Sequence, residues 1–219
     1  MKLSYQGIQD KQGYAAAQVA LPQYDWAKMA EKTAEKPVWV HFGAGNIFRG
    51  FIAGLQQRLL NAGLADSGIV AAETFDYDII DKIYVPHDSM TLMVSLKADG
   101  STQKEVIASI AKGIKANCAD EAQWQQLTDV FTAPSLQMAS FTITEKGYGV
   151  APADLERGLT PVLAMGKVTA LLYERFKAGA LPLTVQSMDN CSHNGDKVKA
   201  AVFAYASKWV EQGLVPAEF

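Results

Sequence analysis

Two short apolar runs on either side of a glycine turn constrain this chain more than any other feature. Pro37-Val38-Trp39-Val40-His41-Phe42 is rich in strand formers and stops at Gly43. Ile47, Phe51, Leu55 and Leu59 then recur every four residues, which predicts one face of a helix ending near Gly63. Ile69-Val70-Ala71-Ala72 gives a second strand that closes at Glu73. Strand, tight turn, helix and strand follow one another within the length of a single βαβ unit. Both strands are apolar throughout, as expected where helices cover both faces of a parallel sheet.

The rest of the chain repeats the alternation. Thr91 to Leu96 and Val106 to Ile114 predict an inserted strand pair around the Asp99-Gly100 turn. Asp120 to Phe131 predicts a helix, and Ala139 to Thr144 a strand. Met165, Val168, Leu172 and Phe176 mark a helical face, followed by a buried strand from Leu183 to Met188. A last helix turns Val198, Val202, Tyr205 and Trp209 inward, with Asn194 as its N-cap and Asp196 in its first turn. The expected fold is α/β, a doubly wound and mostly parallel sheet spanning residues 35–219. Residues 1–34 are polar and mixed, and they read as an N-terminal arm.

Composition narrows the classes of function. Lys and Arg number 20 against 23 Asp and Glu, a net charge of -3, which argues against a nucleic-acid partner. No apolar run reaches the roughly 18 residues of a membrane span, and the N-terminus lacks a signal-peptide core. The two cysteines, Cys118 and Cys191, lie far apart and outside any CxxC pattern, so a reducing cytoplasm is the expected location. Three scattered histidines give no readable metal site.

The glycine turn carries the chemistry. Gly43 can take a tight turn, and Gly45, lacking Cβ, lets main chain approach a pyrophosphate. The helix that starts at Asn46, Ile47, Phe48 and Arg49 aims free N–H groups and a positive dipole end at that phosphate. Phe48 stands where the usual dinucleotide fingerprint has its third glycine, and a glycine returns only at Gly50. Arg49, in the first helical turn, contacts phosphate or pairs with an acid. Glu73 or Asp78 can accept hydrogen bonds from the adenosine ribose, the loop between leaving the choice open. No Lys or Arg occurs between Glu73 and Asp81, so a 2′-phosphate would meet only like charge, and the expected cofactor is NAD rather than NADP.

Three segments together resemble the mannitol dehydrogenase family of polyol-specific long-chain dehydrogenases. They are His41-Phe42-Gly43-Ala44-Gly45-Asn46-Ile47-Phe48-Arg49-Gly50-Phe51, Thr142-Ile143-Thr144-Glu145-Lys146-Gly147-Tyr148, and Ser187-Met188-Asp189-Asn190-Cys191-Ser192-His193-Asn194-Gly195. The second is similar to the family's T-E-x-G-Y segment and the third to its S-x-D-N-x-x-x-N-G signature. The resemblance implies a Rossmann-like NAD-binding domain and zinc-independent hydride transfer to or from a sugar alcohol, ketose or keto-uronate. It also implies a general acid/base lysine on a C-terminal helical domain, which this sequence lacks. The chain therefore reads as half of an enzyme, expected to bind NAD weakly and to turn over polyols negligibly.

Asn190 matches a family asparagine that helps hold the reacting oxygen. Its amide could donate to a developing alkoxide, or it could simply turn the chain into the last helix. Asp189 follows the same strand, at the sheet edge where such folds bind ligands. Glu145 either lines the nicotinamide pocket or pairs with Lys146 or Arg49. Two other classes compete: an S-adenosylmethionine-dependent transferase, which also uses a glycine turn and an acid, and a non-catalytic NAD(H)-sensing module.

Overall fold

The computed structural model describes residues 1–219. Its centre is a five-stranded parallel sheet built from β2 (Trp39–Phe42), β3 (Ile69–Glu73), β6 (Ile110–Lys115), β7 (Met138–Phe141) and β8 (Thr184–Ser187). The strand order is β6-β3-β2-β7-β8. The chain thus winds outward from β2 in both directions, and the reversal between β2 and β7 is the switch point where open α/β sheets bind ligands.

Strict two-residue alternation splits each central strand between two cores. Val40, Phe42, Val70, Ala72, Ala139 and Phe141 face one side, where they pack on α4 (Glu121–Thr132), α6 (Ala164–Lys177) and α7 (Asn194–Glu211). Ile69 and Ala71 face the other, against a π-helical turn at Phe48–Ile52 that leads into α3 (Ala53–Asn61). Both faces are apolar because both are covered. Arg175 on α6 ties one side together: its five N–H groups donate to the carbonyls of Leu181, Phe131, Ala133, Leu136 and Pro182. Three of these lie at or beyond the C-terminal end of α4, where a cation also answers the helix dipole.

Four sequence expectations need correction. The stripe Ile47, Phe51, Leu55 and Leu59 is the solvent face of its helix, with exposures from 43% to 69%. The buried flank is instead Phe48, Ile52, Ala53, Gln56, Gln57 and Leu60, because the two glutamines are needed as hydrogen-bonding groups inside. Gln57 donates to the Val106 carbonyl at 2.7 Å and accepts from the Ala108 amide at 2.7 Å. That clasp explains the second correction. The run from Val106 to Ile114 is not one strand, since the chain leaves β5 (Thr102–Ile107) and enters β6 across the buried pair Ala108 and Ser109. β5 pairs antiparallel with β4 (Thr91–Leu96) in a separate three-stranded sheet.

Third, residues 1–34 do not form an irregular arm. They hold α1 (Lys11–Ala16), β1 (Val19–Ala20) and most of α2 (Trp26–Glu35), and β1 adds to β5 in parallel. Ile8 and Tyr14 share a small core there with Met90, Val106 and Ala108. Asp10 and Asp25 cap the two helices, accepting from Gly13 and Lys28 amides. Fourth, β8 is an edge strand whose residues are mostly exposed, not buried. No helix is long and apolar enough to cross a membrane.

The two faces of the glycine helix should respond oppositely to substitution. Ile52→Ala is expected to cost about 2–4 kcal/mol of stability, whereas Leu55→Ser, on the open face, should stay within about 0.5 kcal/mol. Urea denaturation of the two variants checks the assignment.

Candidate functional site

The site grows from the end of β2. Gly43 has φ +102°, and a Cβ there would lie 2.2 Å from the Thr142 carbonyl oxygen, so only glycine fits. At Gly45 a Cβ would meet nothing within 4 Å. The first glycine is thus required by packing against β7, and the second opens onto free space. The Gly45 amide has no partner in the chain, and the helix behind it starts with unpaired N–H groups aimed the same way. Tyr84 braces the turn from below, its hydroxyl donating to the Ala44 carbonyl at 3.1 Å.

Glu73 joins this turn to the end of β3. Its side chain is buried, and Oε2 accepts the Ala44 amide at 2.9 Å. Oε1 accepts the amides of Thr74 and Phe75 at 2.9 Å and of Asp76 at 3.3 Å. Four main-chain donors therefore hold one carboxylate, and Oε2, with a single donor, keeps spare acceptor capacity. The alternative acid, Asp78, is turned away: its carboxylate pairs with Lys82 at 2.6 Å on the surface. Of the two residues proposed from sequence, only Glu73 stands beside the glycine turn.

A directed hydrogen-bond chain supports the same turn. His41 is fully buried and stacked on Phe48, with ring centroids 4.1 Å apart and planes 6° apart. Its Nδ1 lies 2.7 Å from Ser140 Oγ, and Nε2 lies 2.8 Å from Thr142 Oγ1. Trp39 Nε1 can only donate, and it reaches Ser140 Oγ at 2.7 Å. One assignment uses every proton: Ser140 donates to His41 Nδ1, His41 Nε2–H donates to Thr142, and Thr142 turns its own toward the Gly43 carbonyl at 3.5 Å. Burial holds the imidazole pKa down to about 3, so the ring stays neutral.

Beyond β7, Asp189 shapes the facing loop. Oδ2 accepts the Ile143 amide at 2.9 Å and the Tyr148 hydroxyl at 2.5 Å, while Oδ1 accepts the Thr144 amide at 3.0 Å. Thr144 sits at φ 63° and ψ 165°, a region almost reserved for glycine. Asp189, read from sequence as a cofactor ligand, thus has both oxygens engaged in holding a strained loop at the switch point. Glu145 pairs with Lys197 of α7, not with Lys146 or Arg49, and this partner lowers its carboxyl pKa. Asn46 accepts from the Arg49 guanidinium, so these two side chains lock each other over the first helical turn. Ile47 is exposed there, and Phe48 is core. Asn190 is exposed at the carboxyl edge of β8. Asn194 is the first residue of α7 rather than its cap, and it reaches back to the Asp189 carbonyl at 2.9 Å. A surface hollow of about 590 Å³ lies elsewhere, among Tyr5, Tyr24 and Trp26, away from the glycine turn.

Sequence reasoning named Tyr148 only as the end of a signature segment, without its bond to Asp189, and missed Lys167. Lys167 is buried on α6, and its Nζ donates to the Thr74 carbonyl at 2.7 Å and the Tyr77 hydroxyl at 2.9 Å. Neither contact carries a local signal, since each joins residues far apart in sequence.

A parallel sheet with this strand order, a glycine turn at its switch point and an acid at the end of the neighbouring strand define a Rossmann-type dinucleotide-binding domain. Residues 37–215 match the family described as the mannitol dehydrogenase Rossmann domain, and the chain belongs to that family. It is 42% identical to a D-mannonate oxidoreductase of Thermotoga maritima, over 100% of this chain and 42% of that protein. A polyol:NADP oxidoreductase of Gluconobacter oxydans is 28% identical over 90% of this chain and 43% of its own length. Among solved structures, Pseudomonas fluorescens mannitol 2-dehydrogenase in ternary complex with NAD and D-mannitol superposes with a TM-score of 0.78. That match has 26% identity and covers 97% of this chain and 43% of the other. The chain therefore spans about two-fifths of the length of the relatives it matches. Family membership sets aside the S-adenosylmethionine-dependent transferase reading.

Two outcomes test this site's construction. His41 has a pKa near 3 when folded and about 6.5 when unfolded, so between those values the unfolded chain binds the extra proton. Stability should fall as pH drops from about 6.5 toward 3, by up to about 1.4 kcal/mol per unit; His41→Gln should remove that part of the slope in urea titrations. Thr144→Gly should raise stability by about 1 kcal/mol by relieving the backbone, while Asp189→Ala should lower it by about 1–3 kcal/mol through the orphaned Ile143 and Thr144 amides. Thermal unfolding of both variants gives the comparison.

Proposed function

We propose that this chain is the NAD-binding part of a dehydrogenase that moves hydride between the nicotinamide ring and a carbinol carbon of a sugar acid or sugar alcohol. The observation that carries the reading is the open, unpaired Gly45 amide beside a buried Glu73 carboxylate that is itself bonded to Ala44. The pyrophosphate fits over Gly45, Asn46 and Ile47, where helix N–H groups and the Arg49 guanidinium supply positive charge. The ribose hydroxyls fit Glu73 Oε2. The loop from Thr74 to Asp81 carries no cation, and the neighbouring Lys82, Lys115 and Lys167 are committed to Asp78, Asp81 and the Thr74 carbonyl, so a 2′-phosphate meets no free cation there. That favours NAD over NADP, although one relative is a polyol:NADP oxidoreductase.

The nicotinamide end then lies toward the loop that Asp189 shapes, with Asn190 and Glu145 on its rim. NAD supplies the hydride acceptor. This chain's own residues position it, and the Asn190 amide can donate to the alkoxide-like oxygen of the substrate without releasing a proton. The substrate class is taken from the 42% identical D-mannonate oxidoreductase: a hexonate or its keto form. Proton transfer falls to a lysine in the part of the relatives that this chain does not span, as the family resemblance implies. That part also accounts for the apolar open stripe Ile47, Phe51, Leu55 and Leu59, which it would cover.

Calorimetry of this chain with NAD, NADP and S-adenosylmethionine tests the reading. Heat is expected with NAD and weaker heat with NADP, and Gly45→Val should weaken NAD at least tenfold, or about 1.4 kcal/mol. Absence of NAD binding overturns the cofactor site. Steady oxidation of D-mannonate by the chain alone overturns the division of labour.

A further inference from the structure

The most exposed large apolar side chain of the whole molecule is Phe75, at 92%. It stands two residues past Glu73, on a loop whose backbone is held at several points. The amides of Thr74, Phe75 and Asp76 donate to Glu73 Oε1. The Thr74 carbonyl accepts from buried Lys167 at 2.7 Å. The Tyr77 hydroxyl accepts from the same ammonium at 2.9 Å and donates to the Ala116 carbonyl at 2.9 Å. A phenyl ring is thus carried into solvent on a backbone pinned from both sides, with no apolar neighbour to shelter it.

We propose that Phe75 is the platform on which the adenine ring of the dinucleotide stacks. This deepens the preceding reading and rests on it. The Phe75 amide itself lies 2.9 Å from Glu73 Oε1, so the residue that carries the ring touches the carboxylate assigned to the ribose. Pyrophosphate over Gly45 and ribose at Glu73 fix the direction, and the base continues past Glu73 toward Phe75. An aromatic face suits any purine because stacking needs only a π surface. The pinned loop removes the ordering cost that a mobile side chain would bring to binding. Asp76 and Asp78 on the same loop keep phosphates away while leaving a neutral base unopposed.

Titration of the 219-residue chain with NAD, ADP-ribose and nicotinamide mononucleotide tests the assignment. Phe75→Ala, whose fold should be intact because the ring touches no core, is expected to weaken NAD and ADP-ribose about tenfold and to leave the mononucleotide unchanged. Phe75→Tyr should bind like the parent, and Phe75→Leu should resemble the alanine variant. Unchanged ADP-ribose affinity in Phe75→Ala overturns the platform while sparing the dinucleotide site. Failure of the parent chain to bind either NAD or ADP-ribose overturns the underlying reading, and the platform with it.

Discussion

One buried carboxylate holds the working edge of this molecule together. Glu73 ends β3, yet it takes an amide proton from the turn after β2 and three more from the loop that follows it. Without that anion the buried Ala44 and Thr74 amides would be left unpaired, each at a cost of about 1–3 kcal/mol, and the Phe75 and Asp76 amides would lose their partner at the loop surface. The same interaction fixes two geometries at once. It sets the spacing between two parallel strand ends, and it locks the shape of the loop that would meet an adenosine. Asp189 does the equivalent work across the switch point for Ile143, Thr144 and Tyr148. The two acids are architectural first, and any ligand role for Glu73 uses what the backbone leaves over.

Much of this could be read from residue order. The glycine turn, the apolar strands around it and the acid closing the second strand are local patterns, and local patterns survive into the fold. The inward faces of α6 and α7 also follow their period, through Met165, Val168, Tyr205 and Trp209. What could not be read depends on partners remote in sequence. The four-residue apolar period at Ile47 pointed to the wrong flank of its helix, because Gln56 and Gln57 are drawn inside by main-chain groups at Ser67, Val106 and Ala108. The long run from Val106 to Ile114 gave no sign of the change of sheet at Ala108 and Ser109. The bonding of His41 likewise depends on Ser140 and Thr142, about a hundred positions away.

The site shows the same division. Gly43 and Gly45 were both legible as glycines, but only the structure separates their reasons: one is forbidden a side chain by the Thr142 carbonyl, the other faces open space. Asp78 and Glu73 were indistinguishable until Lys82 claimed the first. Glu145 found Lys197 on α7, a partner its own neighbourhood did not suggest.

β8 leaves one row of peptide donors and acceptors without a neighbouring strand, at one of the two margins of the central sheet, β6 being the other. Pleated margins of this kind recruit whatever extended chain is at hand. In concentrated preparations of this polypeptide, slow fibrous or strand-swapped association would begin there, and charged or proline substitutions at Val185 or Gln186 are the natural means of blunting it.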